Sequence, residues 1–156
     1  MTVSSHSILC RLFLTLASIG LIAAAPGTGT LVVEVGNVRS AAGNIHVDVC
    51  PQSRFLKEDC PFTTEAPAHL GTTRLLIRGL PAGRYAVQAT HDENNNHKVD
   101  RNILGIPIEG IGFSHDARIR LGPPKWDDAQ MLFDGHAGTV SFPLHYFLGR
   151  SGPPSR

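Results

Sequence analysis

The sequence predicts an all-β domain, an immunoglobulin- or transthyretin-like β-sandwich of about seven strands that carries one long ordered loop. Three observations predict it. After residue 28 apolar and polar side chains alternate with a period of two, and no stretch sustains the 3.6-residue period of a helix. Clusters of Gly, Pro, Ser and Asn punctuate the alternating runs at short intervals. One stretch, from His91 to Trp126, drops the alternation yet keeps many bulky apolar residues. A lone sheet leaves its apolar face in water, so two sheets pressed face to face are the economical arrangement.

The N-terminus stands outside that pattern. Arg11, the apolar run Leu12 to Ile22 and Ala23-Ala24-Ala25 follow in the order of a secretory signal peptide, residues 1–25. The run is shorter than the roughly 20 residues a spanning helix needs, and an uncleaved amphipathic or buried N-terminal helix is the alternative. Cleavage leaves 13 basic and 13 acidic residues. A neutral chain offers no basic face to nucleic acid, and no later stretch is apolar for long enough to span a membrane. The expected location is periplasmic or secreted, with an envelope or extracellular ligand as partner.

The domain is expected over residues 29–148. Leu31, Val33 and Val35 alternate with Val32, Glu34 and Gly36; Ser40 to Asn44 form a turn; Ile45, Val47 and Val49 alternate with His46, Asp48 and Cys50. This pair reads as a β-hairpin with one wet face. Residues 51–70 read as a Pro-rich, charged loop pinned by Cys50 and Cys60. An exported pair of cysteines meets an oxidising compartment and is expected to bond, two free buried thiols being the alternative. Leu75 and Ile77 mark the next strand. Gly79 to Gly83 form a turn, and Tyr85, Val87 and Ala89 a strand whose tyrosine packs inward with its hydroxyl bonded near the strand end. Ala117, Ile119 and Leu121 suggest a short strand, and Met131/Phe133 and Val140/Phe142/Leu144 two more. Residues 149–156 read as a flexible tail.

The stretch from His91 carries the chemistry. A loop this long is uncommon in a compact domain and usually functional or disordered. Its Ile103, Leu104, Ile106, Ile108, Ile111, Phe113 and Trp126 call for burial, which predicts order. Oxygen side chains recur at Asp92, Asn94 and Asn96, with Asp100 four further on. Calcium takes six to eight oxygens, and these residues, with the backbone carbonyl of Lys98, occupy the early ligand positions of an EF-hand-like loop. The turn glycine of that scheme is replaced by His97, which must adopt a positive φ, and Ile103 stands where the final bidentate acid belongs. Glu93, Glu109, Asp116 or Asp127 could complete the shell. Calcium affinity is then expected near 10⁻⁴–10⁻³ M, roughly that of extracellular modules. The same residues also suit an Asx-rich turn that holds no metal.

Seven histidines follow residue 25, without a His-x-x-x-His pair for zinc or copper. Ser114-His115-Asp116 has the residue types of a triad, but a triad is recognised by geometry and not by adjacency, and no Gly-x-Ser-x-Gly is present.

Three stretches taken together resemble a known family: His91-Asp92-Glu93-Asn94-x-Asn96; Asp100-x-Asn102-x-Leu104-Gly105-Ile106-Pro107-x-Glu109-Gly110-x-Gly112-Phe113-Ser114; and Gly122-Pro123-Pro124-x-Trp126-x-Asp128-Ala129. They look like the signature of a bacterial exported family known as domain-of-unknown-function family 2141, over about Leu31 to Leu144. The resemblance implies an envelope or secreted β-sandwich and supplies no catalytic residues. Members usually have glycine where this chain has His97. More distantly, Leu80-Pro81-x-Gly83-x-Tyr85 is similar to the turn of transthyretin-like and carboxypeptidase-regulatory domains. Hydroxyisourate hydrolases of that fold end in Tyr-Arg-Gly-Ser, whereas this chain ends with His145-Tyr146-Phe147-Leu148-Gly149-Arg150-Ser151-Gly152.

Three functions fit the sequence. The leading one is a non-enzymatic exported binding or accessory domain, its loop ordered by calcium and stabilised by packing of Phe113 and Trp126. The second is a hydrolase-like enzyme using His91, His115 and Asp116. The third is a purely structural envelope protein.

Overall fold

The computed structural model describes residues 27–120 and 122–153. The expected signal peptide, Leu121 and the last three residues lie outside them. Among the described residues there are eight strands: β1 (Thr28–Val38), β2 (Asn44–Cys50), β3 (Phe62–Pro67), β4 (Gly71–Pro81), β5 (Gly83–Asp92), β6 (Gly110–Phe113), β7 (Gln130–Phe133) and β8 (Ala137–Pro143). One helical turn, α1 (Trp126–Ala129), precedes β7. The strands form two sheets, β4-β1-β8 and β3-β2-β5-β6, with β7 also on β5. The all-β sandwich is therefore the observed fold.

The alternation read from the sequence sorts side chains as expected. Leu31, Val33 and Val35 of β1, Ile45, Val47 and Val49 of β2, and Val87 of β5 are fully buried and form one core with Leu80, Phe133, Phe142 and Leu144. Each such side chain contributes about 1.5–3 kcal/mol by leaving water. Tyr85 is buried, and its hydroxyl donates to the carbonyl of Pro81 at 3.2 Å.

The predicted hairpin does not form. β1 pairs with β4 antiparallel and with β8 parallel, whereas β2 pairs with β3 and β5 in the other sheet. Residues 39–43 cross between the layers instead of turning within one. Alternation along a strand defines its buried face but not its edge partner, and here the two apolar faces cover each other across the core. β4 and β5 likewise lie in opposite sheets, the chain crossing at Ala82.

Three further expectations change. Residues 62–67, read as loop, are the edge strand β3, in which Phe62, Thr64 and Ala66 face inward. Residues 110–113, inside the long segment, are β6, where Gly112 lies too close to the Pro143 carbonyl for any side chain. Ala117 and Ile119, expected in a strand, are irregular backbone. In the described part of the tail, the Asn37 amide donates to the Ser151 hydroxyl at 3.2 Å, and Gly152 is buried.

A second apolar cluster lies apart from the main core. Phe55 meets Phe113 edge-on at 6.0 Å and Trp126 at 5.6 Å, over Ala86, Ala117 and Ala129. The Cys50–Cys60 disulfide, with Cα atoms 5.0 Å apart, closes the loop that carries Phe55. Phe113 and Trp126 thus anchor the disulfide loop, not the polar loop they were expected to stabilise. Aromatic rings take whatever apolar surface lies nearest, which sequence distance does not reveal.

Candidate functional site

β5 ends at Asp92 and β6 begins at Gly110, and His91 pairs with Gly110 across the sheet. The intervening residues 93–109 therefore leave and re-enter the sheet at one point. Asp92 is 3% exposed. Its carboxylate accepts the backbone N–H of Asn96 at 3.1 Å and of His97 at 2.7 Å. Asn94 Oδ1 accepts the N–H of Asn96 at 3.0 Å, and Asn96 Oδ1 that of Lys98 at 2.9 Å. The side-chain amides of Asn94 and Asn96 donate to the two oxygens of Asp100 at 2.6 and 2.9 Å. This tight coil needs left-handed backbone at Asn95 and His97, with φ of 59° and 58°, and Asn and His tolerate that better than most residues. The positive φ expected of His97 is present.

Glu109 closes the coil. It is 3% exposed, and its two oxygens accept the N–H groups of Glu93 and Asp100, each at 3.1 Å. Burial pushes its carboxyl above the ordinary carboxylate range; those two hydrogen bonds oppose the shift, and the nearby charges of Asp100 and Asp92 add to it. Among the four acids named for completing a shell, Glu109 is thus the one whose carboxylate turns into the coil. Glu93 turns to Arg39, Asp116 pairs with His145 at 2.6 Å, and Asp127 lies on α1. Asp92, Asn94, Asn96, Lys98 and Asp100 are brought into one short coil, with Glu109 at its base. Among the described residues, no group of three or more His, Cys, Asp and Glu side chains is placed to hold a metal ion.

A clamp behind the loop was not legible in the sequence. Arg39, just past β1, donates from Nε to both carboxylate oxygens of Glu93 at 3.1 Å, and from its terminal nitrogens to the carbonyls of Leu148 at 2.9 Å and Ile108 at 3.3 Å. Its guanidinium lies 4.3 Å from the centre of the Tyr146 ring. One cation thereby holds the first residue of the loop, its far end and the C-terminal segment. The hydrogen bond to Glu93 raises the pKa of Arg39. For Glu93, burial pushes upward, but the bonds from Arg39 and Ser40 outweigh it and hold the carboxyl below its usual range. Nothing local marks Arg39, one charged residue at the start of a turn. Gly43 in the same crossing lies against the Asp92 carbonyl, where a Cβ would come within 1.9 Å.

The residues of the enzyme reading are not brought together. His91 follows Tyr85, Val87 and Ala89 on the inward face of β5 and is fully buried. Its Nδ1 meets the Tyr146 hydroxyl at 2.7 Å and its Nε2 the Ala42 carbonyl at 2.8 Å. The carbonyl must accept, so Nε2 carries the proton and Nδ1 accepts from the tyrosine. Burial pushes the Tyr146 phenol up to about 12. Of two open clefts, of about 460 and 490 Å³, Asp116 lines the first and His115 the second, and His91 lines neither. Ser114 is fully buried, its single O–H donating to the carbonyl of Ala129 and its oxygen accepting the N–H of Val87 at 2.9 Å. It is a structural tie between β5 and the end of α1.

Residues 33–141 match the bacterial family described as "Uncharacterized protein conserved in bacteria (DUF2141)". The chain belongs to the DUF2141 family. The match runs from β1 into β8, so the DUF2141 region takes in the disulfide, the loop from Asp92 to Glu109 and most of both sheets. No curated protein and no solved structure matches the chain.

Proposed function

We propose that this protein is an exported, non-enzymatic accessory or binding domain whose 92–109 loop is ordered by calcium. One observation carries the reading. Asp92, Asp100 and the buried Glu109 gather at a single coil together with the amides of Asn94 and Asn96, and their like charges work against one another. A hard cation would relieve that repulsion, taking over the role the two amide N–H groups now play towards Asp100. Three carboxylates without a compact ligand group imply a mixed shell of acid, amide and backbone oxygens and an affinity of about 10⁻⁴–10⁻³ M. Export is supported by the residue order of 1–25 and by the paired cysteines.

Calcium titration of the purified protein tests the metal. The expected result is a rise in melting temperature at millimolar calcium that Asp92→Ala and Glu109→Ala abolish. Because protons compete for Glu109, the rise should shrink as pH falls through its elevated pKa. An unchanged melting temperature at 10⁻² M calcium, roughly ten times the weakest expected constant, would defeat the reading.

A further inference from the structure

The far end of the loop is a second, separate feature. Arg101 and Pro107 form an isolated antiparallel bridge. Beyond it, Asn102 N–H donates to Ile106 O at 2.9 Å and Gly105 N–H to Asn102 O at 2.9 Å. Asn102 Oδ1 accepts the N–H groups of both Leu104 and Ile106 at 3.0 Å. Arg101 Nη1 donates to Gly105 O at 3.0 Å, and Gly105 takes φ 76° with open space where a Cβ would stand. The result is a stiff, narrow hairpin with Ile103 and Leu104 at its two corner positions. Ile103 is 101% exposed and Leu104 77%. Val99 and Ile108, lower on the same loop, are also exposed. The sequence expectation that Ile103, Leu104 and Ile108 are buried is overturned. The hydrogen bonds of Asn102 and Arg101 fix a turn that leaves two large aliphatic side chains out in water.

Charge around this tip is sorted by partner. The acids are engaged within the domain: half-buried Asp100 accepts from Asn94 and Asn96, Glu109 is buried, and Glu93 is held by Arg39. Glu65, the other acid at this end, lies against Asn44 and His97. Lys98 and Arg101 are exposed, and neither is in an ion pair among the described residues. An apolar point rimmed by cations matches the interface of an anionic bilayer, where aliphatic side chains enter the acyl boundary and cations stay with the headgroups. We infer that the 101–107 hairpin is a membrane-docking tip, which inserts Ile103 and Leu104 into an anionic lipid surface while Lys98 and Arg101 contact the headgroups.

This inference rests on the tip's own geometry and not on the calcium reading. All eight strands and both apolar clusters of the described residues lie after residue 27, so a chain of residues 27–156 retains every one of them. Its co-sedimentation with phosphatidylglycerol–phosphatidylcholine vesicles, and with phosphatidylcholine alone, is the test, run in EGTA and in millimolar calcium. The expected result is binding to the anionic vesicles that I103S/L104S weakens more than about tenfold, since each lost aliphatic group forfeits at least that factor when fully buried. Lys98→Gln and Arg101→Gln should each weaken it about fivefold, as expected for one cation near an anionic surface. Leu132→Ser, which removes a 70% exposed leucine on β7, is the control and should leave binding unchanged. Binding in EGTA supports the tip alone; binding in calcium alone supports the tip and the metal together. No binding in either condition, equal binding to both vesicle types, or undiminished binding of a natively melting I103S/L104S variant overturns the inference.

Discussion

Arg39 and Glu93 meet across 54 positions of sequence, the guanidinium Nε lying 3.1 Å from both carboxylate oxygens. Their side chains are 18% and 22% exposed, so the pair is largely withdrawn from water. Removing one partner strands the other charge, and Arg39→Ala should cost about 2–4 kcal/mol in urea unfolding. Arg39→Lys should recover only part of this, since an ammonium cannot fork across both oxygens. The depressed pKa of Glu93 places its contribution above the unfolded value of 4.5; it is lost as pH falls through the lower folded value. The acid limb of the stability curve should therefore flatten in Arg39→Ala.

Tyr146 supplies the hydrogen bond that satisfies buried His91 Nδ1 and also accepts the backbone N–H of Arg39 at 3.2 Å. Tyr146→Phe leaves both without a partner while preserving shape. The expected loss is about 1–3 kcal/mol, with the fold intact by circular dichroism. Burial raises the pKa of Tyr85 as well, so ultraviolet titration of the native protein should show less phenolate at pH 10 than the unfolded chain does. Full ionisation there would contradict the packing of both rings.

His46 and Asp48 form an ion pair at 3.0 Å on the outer face of β2. The hydrogen bond to Asp48 raises the pKa of His46 above 6.5, so its contribution is complete below 6.5 and lost as pH rises through the folded value. For Asp48, burial pushes upward but the bonds from His46 and Gln88 prevail, so its contribution is present above 3.8 and lost as pH falls further. The pair should stabilise most between pH 3.8 and 6.5. His46→Gln should remove the decline in melting temperature on the alkaline side of that window.

The Cys50–Cys60 bond spans 10 positions and holds Phe55 over Phe113 and Trp126. Reduction, or Cys60→Ser in a Cys50→Ser background, should lower stability by about 2–4 kcal/mol. Tryptophan emission should shift to the red as the ring over Trp126 loosens. Unchanged emission would mean that Phe55 stays seated without its tether.

Period and composition determined a good deal of this molecule. A repeat of two with apolar residues on one face requires strands, and strands with one apolar face require a second layer, so the sandwich followed from residues such as Leu31, Val33, Ile45 and Val47. Tyr85 and the oxygen-rich coil at Asp92–Asp100 were legible for the same reason: their roles are set by neighbours within a few positions. What the tertiary structure alone decided are relations between distant residues. The pairing of β1 with β4 and β8, the choice of Glu109 over three other acids, the grip of Arg39 on Glu93 and the exposure of Ile103 and Leu104 all depend on which segments the packed sheets bring side by side. Local alternation holds no information about those meetings, because the same pattern satisfies any partner that covers its apolar face.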